Sequence, residues 1–158
     1  TAPKLLKLIV RPGAVADQSQ VPASLMPLPA RDLPVVRERF WHFGRSNGMW
    51  TVNGKVVDLN RCDAEITRNT AEIWNLSTAG GWAHPVHIHL EEYRILAYNG
   101  QSVTGTSLGG RKDVFSLYPG DEMRIYMKFR DWVGRYVMHC HNVVHEDHAM
   151  MVRWDIVP

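Results

Sequence analysis

The sequence predicts an all-β sandwich, and three observations carry that prediction. From about residue 37 onward the chain is a succession of short runs rich in aromatic and β-branched residues: RERFWHFG, MWTVNG, TAEIWNLS, EEYRILAYNG, DVFSLYPGDEMRIYMKF and GRYVMHC. Turn dipeptides separate them, at Asn53-Gly54, Asn99-Gly100, Gly109-Gly110 and Pro119-Gly120. No segment keeps a helical period for three turns. Seven or so strands in two layers follow, with one helical turn expected near NVVHED.

Taken in order, the chain begins with KLLKLIV, whose apolar and β-branched character suits a single short strand over residues 1–11. One strand cannot fold alone, so it reads as the last edge of a preceding domain. Six of the nine prolines then fall within the first 34 residues, and with few aromatics nearby, residues 12–36 have linker composition. Residues 37–158 form the one domain with a real core, as a length of 158 residues allows. The strands inside it are those named above, ending in the stretch HCHNVVHEDHAMM.

Composition excludes several classes. A net charge of +2 predicts neither a nucleic-acid groove nor a polybasic membrane anchor. The longest apolar run is too short to span a bilayer. The opening TAPKLLKLIV lacks the apolar core and cleavage site of a signal peptide, so the chain reads as a mature product or as a piece of something longer. Of the two cysteines, Cys140 sits among histidines where a thiolate ligand competes with a disulfide, and Cys62 is expected to be a buried or unpaired small residue.

The histidines carry the chemistry. Seven of eight lie between residues 84 and 148, in HPVHIHL and in the closing stretch. Neighbouring imidazoles repel when protonated and are best tolerated around a cation, so the clustering predicts metal binding. If MHCH is extended, His139 and His141 share one face and Cys140 occupies the other. His87 and His89 share a face in the same way, while Pro85 is expected to leave His84 before the strand and pointing elsewhere. Two sites on opposite sides of the same strands follow. The first takes Cys140, His84 and His145, with Met150 as a weak thioether. That ligand set suits a blue copper site. Zinc would accept the same nitrogen and sulfur donors, and the methionine tilts the choice to copper. Met151 would point away from the site, into the core. The second site gathers His87, His89, His139 and His141.

HPVHIHL together with HCHNVVHEDHAMM resembles the last two copper signatures of the multicopper oxidases, H-x-x-H-x-H and H-C-H-x3-H-x4-M. The text around them, WTVNGKVVD, GWAHPVHIHLEEYRIL, RKDVFSLYPGDEMRI and GRYVMHCHNVVHED, is similar to the C-terminal cupredoxin domain of the branch holding bilirubin oxidase, spore-coat laccase and phenoxazinone synthase. The resemblance implies a cupredoxin-like Greek-key β-sandwich over residues 37–158. It assigns His84, Cys140, His145 and Met150 to a type 1 copper that accepts electrons from a small reducing substrate. His87 falls to the type 2 copper, and His89, His139 and His141 to the type 3 pair, where dioxygen is reduced to water. Glu146 matches an acid that supplies protons near the cluster, and its plainer reading is a solvated helix-cap acid. Trp82 matches a tryptophan beside the type 1 copper, and could equally be a rim or core aromatic. In that family the cluster needs eight histidines, four of them from two further H-x-H pairs that this chain does not contain. The resemblance therefore implies up to four coppers per complete enzyme and an N-terminal cupredoxin portion, as a cleaved fragment or a separate chain, to complete the cluster. It also implies work outside the cytoplasm. His148 is expected at the surface or behind His145, and His42 in packing or at the surface.

Two other readings use the same residues. A self-sufficient blue-copper carrier would shuttle electrons without chemistry, and has no use for the second face. A cupin would use His87 and His89 with Glu91 or Glu92, but supplies no later histidine after YPGDEMRIY and leaves Cys140 idle.

Overall fold

The computed structural model describes residues 6–158. Among them it holds eleven strands: β1 (Val35–Ser46), β2 (Met49–Val52), β3 (Ala64–Thr67), β4 (Thr70–Thr78), β5 (His84–Ile88), β6 (Arg94–Tyr98), β7 (Gln101–Ser102), β8 (Val114–Leu117), β9 (Glu122–Phe129), β10 (Gly134–Cys140) and β11 (Met151–Val157). One α-helix, α1 (Val143–Asp147), sits where the helical turn was expected. The strands form a six-stranded sheet in the order β2-β1-β4-β9-β6-β7 and a five-stranded sheet in the order β3-β11-β10-β5-β8. Both sheets are mixed, because β1 runs parallel to β4 and β3 parallel to β11, and the result is a cupredoxin-like β-sandwich.

There are more strands than the seven expected, since Pro119-Gly120 divides DVFSLYPGDEMRIYMKF into β8 and β9, and β3, β7 and β11 lie outside the runs named above. Asn47-Gly48 joins the first two runs, β1 and β2, with φ of 49° and 79° at its two residues. Positive φ at both central positions is the signature of the two-residue hairpin turn whose twist matches its strands. The Gly109-Gly110 pair does something else: it closes a 3-10 turn over Ser107–Gly109 and separates no hairpin.

The core lies between the sheets. Trp74, Phe129 and Trp154 meet there, with Trp74 and Trp154 edge to face at 5.9 Å. On β4 the facing alternates, Trp74 and Leu76 pointing into this core while Ala71 and Ile73 point outward. The outward pair is covered by Tyr126 and by Leu33 from the proline-rich segment. That segment has no helix or strand from residue 6 to 34, yet its end is fastened down. Tyr126 donates its hydroxyl to the Leu33 carbonyl at 3.2 Å, Lys128 pairs with Asp32 at 2.9 Å, and Arg111 donates to the Pro27 carbonyl at 2.8 Å. The lone strand expected at the N-terminus is not formed over residues 6–10, which pair with no strand among the described residues; residues 1–5 lie outside the described residues.

One buried charge ties the first sheet together. Glu72 is 2% exposed and accepts from Arg39 Nε at 2.6 Å, Arg39 Nη2 at 2.9 Å and Trp74 Nε1 at 2.8 Å. Removing the guanidinium strands a carboxylate in the interior, a change that typically costs about 3–5 kcal/mol. Arg39→Leu is therefore expected to lower unfolding free energy by roughly that amount in denaturant titrations.

Candidate metal centre

The second sheet builds the site. β10 runs between β5 and β11, so its last residues are flanked on both sides. Against β5 the register places His139 opposite His87 and Cys140 opposite Val86. Side chains alternate across a strand, so the His139–His87 pair faces one way and Cys140 the other. Along β5, His84, Val86 and Ile88 are buried, and Pro85, His87 and His89 are less so. His84 thus opposes His87 through simple alternation inside β5. The expectation that Pro85 leaves His84 before the strand is corrected: Pro85 is itself a strand residue, opposite Ser116. Lacking an N–H, it contributes its carbonyl, which accepts the His141 N–H at 2.6 Å.

On the inner face three donor atoms converge. Cys140 Sγ lies 3.7 Å from His84 Nδ1 and 3.5 Å from His145 Nδ1, and the two nitrogens are 3.1 Å apart. A point equidistant from atoms at these separations is about 2.0 Å from each, the length of a metal bond to imidazole nitrogen and slightly short of one to cysteine sulfur. All three residues are buried. His145 comes from α1, whose start is capped by Asn142: its side-chain oxygen accepts the Val144 N–H. Asn142 also donates its own N–H to Cys140 Sγ at 3.4 Å, a bond that favours the thiolate. Met150 is fully buried and tied by backbone to two members of the trio. It accepts the Cys140 N–H at 3.2 Å and donates to the His145 carbonyl at 3.0 Å. Cys62 and Cys140 are both free; of the two readings expected for Cys62, buried or unpaired, it is unpaired and exposed at the surface.

On the opposite face four imidazoles gather. His89 Nε2 and His139 Nε2 are 3.1 Å apart. Ring centroids are 4.8 Å apart for His87 and His89, 4.7 Å for His139 and His141, and 5.2 Å for His87 and His141. His87 Nδ1 sits 3.0 Å from the Asp113 carbonyl oxygen, which orients the ring and leaves Nε2 for the cluster. Glu146 lies with its Oε1 3.3 Å from His139 Nδ1. Asp113 and Glu146 thus stand to the two rings as the oxygens that orient metal-binding histidines.

Electrostatics suit a cation. Burial first, then the neighbouring His145 and His42, lowers the His84 pKa to about 4. Burial likewise holds His89, His139 and His145 below the ordinary imidazole value. Neutral imidazoles keep their lone pairs for a metal at neutral pH. Burial pushes the Cys140 thiol up to about 11, so a bound cation must displace its proton. These shifts fix a sign for the metal-free protein. A histidine whose folded pKa is depressed adds stability above the unfolded value near 6.5 and loses it as pH falls toward 4. Between pH 6.5 and 5, His84 alone removes about 2 kcal/mol. Metal-stripped protein is expected to show its melting temperature falling steadily across that interval, with copper-loaded protein much less affected.

The remaining expected residues are placed as follows. Trp82 is 56% exposed and stands edge-on to His145 at 5.7 Å. His148 is exposed, and near enough to His145 to help depress it. His42 is exposed, with Nδ1 3.0 Å from Ser77 Oγ. Glu91 is buried under Arg130, which donates to it at 2.8 Å. Sequence reasoning missed Trp50, whose ring stacks on His145 at 3.8 Å. The Asn47-Gly48 and Asn53-Gly54 turns framing MWTV could have fixed its hairpin, though not the ring it meets.

A thiol and two imidazoles closed from solvent on one side of a strand, backed by four imidazoles on the other, form the donor set of a copper-binding β-sandwich. The chain belongs to the multicopper oxidase family: the family model described as "Multicopper oxidase" matches residues 31–158. It is 33% identical to bilirubin oxidase of Albifimbria verrucaria over 159 aligned residues, covering 96% of this chain and 28% of that protein. A laccase of Haloferax volcanii is 33% identical over 86% of this chain and 25% of its own length. Among solved structures, a multi-copper oxidase from Pediococcus acidilactici superposes with a TM-score of 0.78 at 26% identity, over 89% of this chain and 30% of that one. The chain thus spans under a third of the length of these relatives. Copper is the metal of this family, and His84, Cys140 and His145 offer the donor set of a type 1 site. None of the described helices is long and apolar enough to cross a membrane.

Proposed function

We propose that this chain is the C-terminal part of an oxygen-reducing multicopper oxidase, with residues 37–158 as its copper-binding domain, 12–36 as the linker and 1–11 as the end of the preceding domain. In this reading His84, Cys140, His145 and Met150 hold the type 1 copper, His87 the type 2 copper, and His89, His139 and His141 belong to the type 3 pair. When bound, copper supplies reversible one-electron chemistry, so that four single-electron oxidations of a small reducing substrate balance the uptake of four electrons and four protons by dioxygen to give two waters.

The protein's own residues do the rest. Trp82, exposed and edge-on to His145, marks the side from which a substrate approaches. The closed pocket around Cys140 excludes water from the electron-accepting site. One peptide unit joins Cys140 to His139 and another joins it to His141, so the two faces share the shortest covalent route the backbone permits. Glu146, partly exposed and beside His139 Nδ1, can take a proton from solvent and present it at the cluster. The observation that carries this reading is the division of ligands across β10, because a simple electron carrier has no use for the four outer imidazoles. The remaining cluster histidines would come from an N-terminal cupredoxin portion, whether continuous with this chain or a separate polypeptide, and the enzyme would work outside the cytoplasm.

The test is copper content and oxygen uptake of the complete, copper-loaded protein. Up to four coppers per complete enzyme and oxygen consumption driven by a one-electron phenolic donor are expected. One copper, a blue band and no oxygen uptake beside a partner carrying two H-x-H pairs would replace this reading with that of a blue-copper carrier.

A further inference from the structure

His145 is the least tethered member of the inner trio. It sits on a five-residue helix whose Val143 and Val144 are exposed, whereas His84 and Cys140 are held within sheet strands. What contacts its ring is therefore what fixes the ring's plane. Trp50 stacks on it with centroids 3.8 Å apart and planes inclined at 27°. The same indole meets His84 edge to face at 5.9 Å. Trp50 itself is only 8% exposed, and Trp82 braces it from the side at 5.6 Å.

The hairpin sets this placement. Arg45 and Trp50 are directly opposed in the β1–β2 register, and the Asn47-Gly48 turn pins that register. A slip of one residue would swing the indole to the other face. Arg45 Nε donates to the Gly48 carbonyl at 3.2 Å, and its guanidinium carbon lies 5.2 Å from the Trp50 ring centroid. The stack is thus imidazole, indole, guanidinium, running outward from the inner site. Nothing in the sequence signature of the metal ligands includes Trp50 or Arg45.

We propose that Trp50 is a positioning residue that, through its stack on His145, fixes the plane of that imidazole and thereby tunes the electron affinity of the Cys140 site. This rests on the reading of that site as a one-electron copper centre. Two physical effects act in the same direction. The indole keeps water from the His145 ring, and a drier site favours the state of lower charge. The guanidinium behind it adds a fixed positive charge, which also favours the reduced, less positive state. Arg45 acts through space and leaves the ring where it is, while Trp50 acts by contact.

The experiment uses the complete copper-loaded protein with Trp50→Leu, Trp50→Phe and Arg45→Gln. Each is followed by redox titration of the blue site and by the copper hyperfine splitting in electron paramagnetic resonance. Trp50→Leu is expected to lower the equilibrium constant for reduction about tenfold, equivalent to ~59 mV for a one-electron couple, and to change the hyperfine splitting. Trp50→Phe, which keeps a stacked ring, should stay within about threefold of the parent, less than half that shift on a logarithmic scale. Arg45→Gln should weaken reduction but leave the hyperfine splitting alone. A folded Trp50→Leu protein with parental potential and splitting overturns the proposal. If Trp50→Leu does not fold, the unsubstituted protein in its Cu(I) form decides. Proton resonance should show the His145 ring protons shifted upfield by the indole, and an unshifted ring overturns the proposal just as well. A parent protein with no blue band would instead defeat the reading of the site itself, which keeps the two failures apart.

Discussion

In the proposed oxidase, Cys140→Ser will abolish the intense blue absorption of the copper-loaded protein and the oxygen uptake together, while leaving the fold intact. The band requires a thiolate sulfur bound to copper, and a serine hydroxyl neither ionises at neutral pH nor supplies sulfur. Cys140 Sγ lies 3.7 Å from His84 Nδ1 and 3.5 Å from His145 Nδ1. The substitution keeps the side chain's shape. A buried hydroxyl without partners costs roughly 1–3 kcal/mol, and here the Asn142 N–H and the two imidazoles offer partners. Far-ultraviolet circular dichroism should match the parent, and visible absorption should not. A blue variant would remove Cys140 from the centre.

The converse substitution separates the two faces. His141→Ala should leave the blue band and its reduction by substrate in place, yet cut oxygen consumption by on the order of a hundredfold or more, since losing even an indirect partner of a metal ligand costs 10–100-fold. His141 is exposed, so the change carries little stability cost of its own. Its ring lies 4.7 Å from His139 and 5.2 Å from His87, on the side of β10 away from the thiol. Rapid-mixing absorbance reads the reduction step, and an oxygen electrode reads the rest. Bleaching of the blue band by His141→Ala would mean that the two groups are one site.

Much of this was legible from local pattern. The alternation in MHCH and in HIH is a property of any extended chain, and the structure brings His87, His89, His139 and His141 together on one face as that alternation requires. The helical turn expected near NVVHED is α1. Other features depended on long-range pairing that no local pattern encodes. Trp50 is 95 positions from His145 and meets it only because β1 crosses to pair in parallel with β4, carrying the β2 hairpin over the site. The proline in HPVHIHL suggested a strand start, whereas the gap of three residues between His84 and His87 already put them on opposite faces. KLLKLIV has strand-like composition, but its described residues, 6–10, pair with no strand among the described residues. Leu33 and Asp32 looked like linker and act as a cover for β4 and β9, because Ala71 and Ile73 leave apolar surface there.

The most direct test is anomalous scattering at the copper edge from crystals of the copper-loaded protein. One isolated peak bonded to Cys140 Sγ, His84 Nδ1 and His145 Nδ1 is expected, with separate peaks among His87, His89, His139 and His141 across β10. A single peak shared by both groups, or a Cys140 sulfur with no metal bonded to it, would contradict the division of ligands on which the proposed function stands.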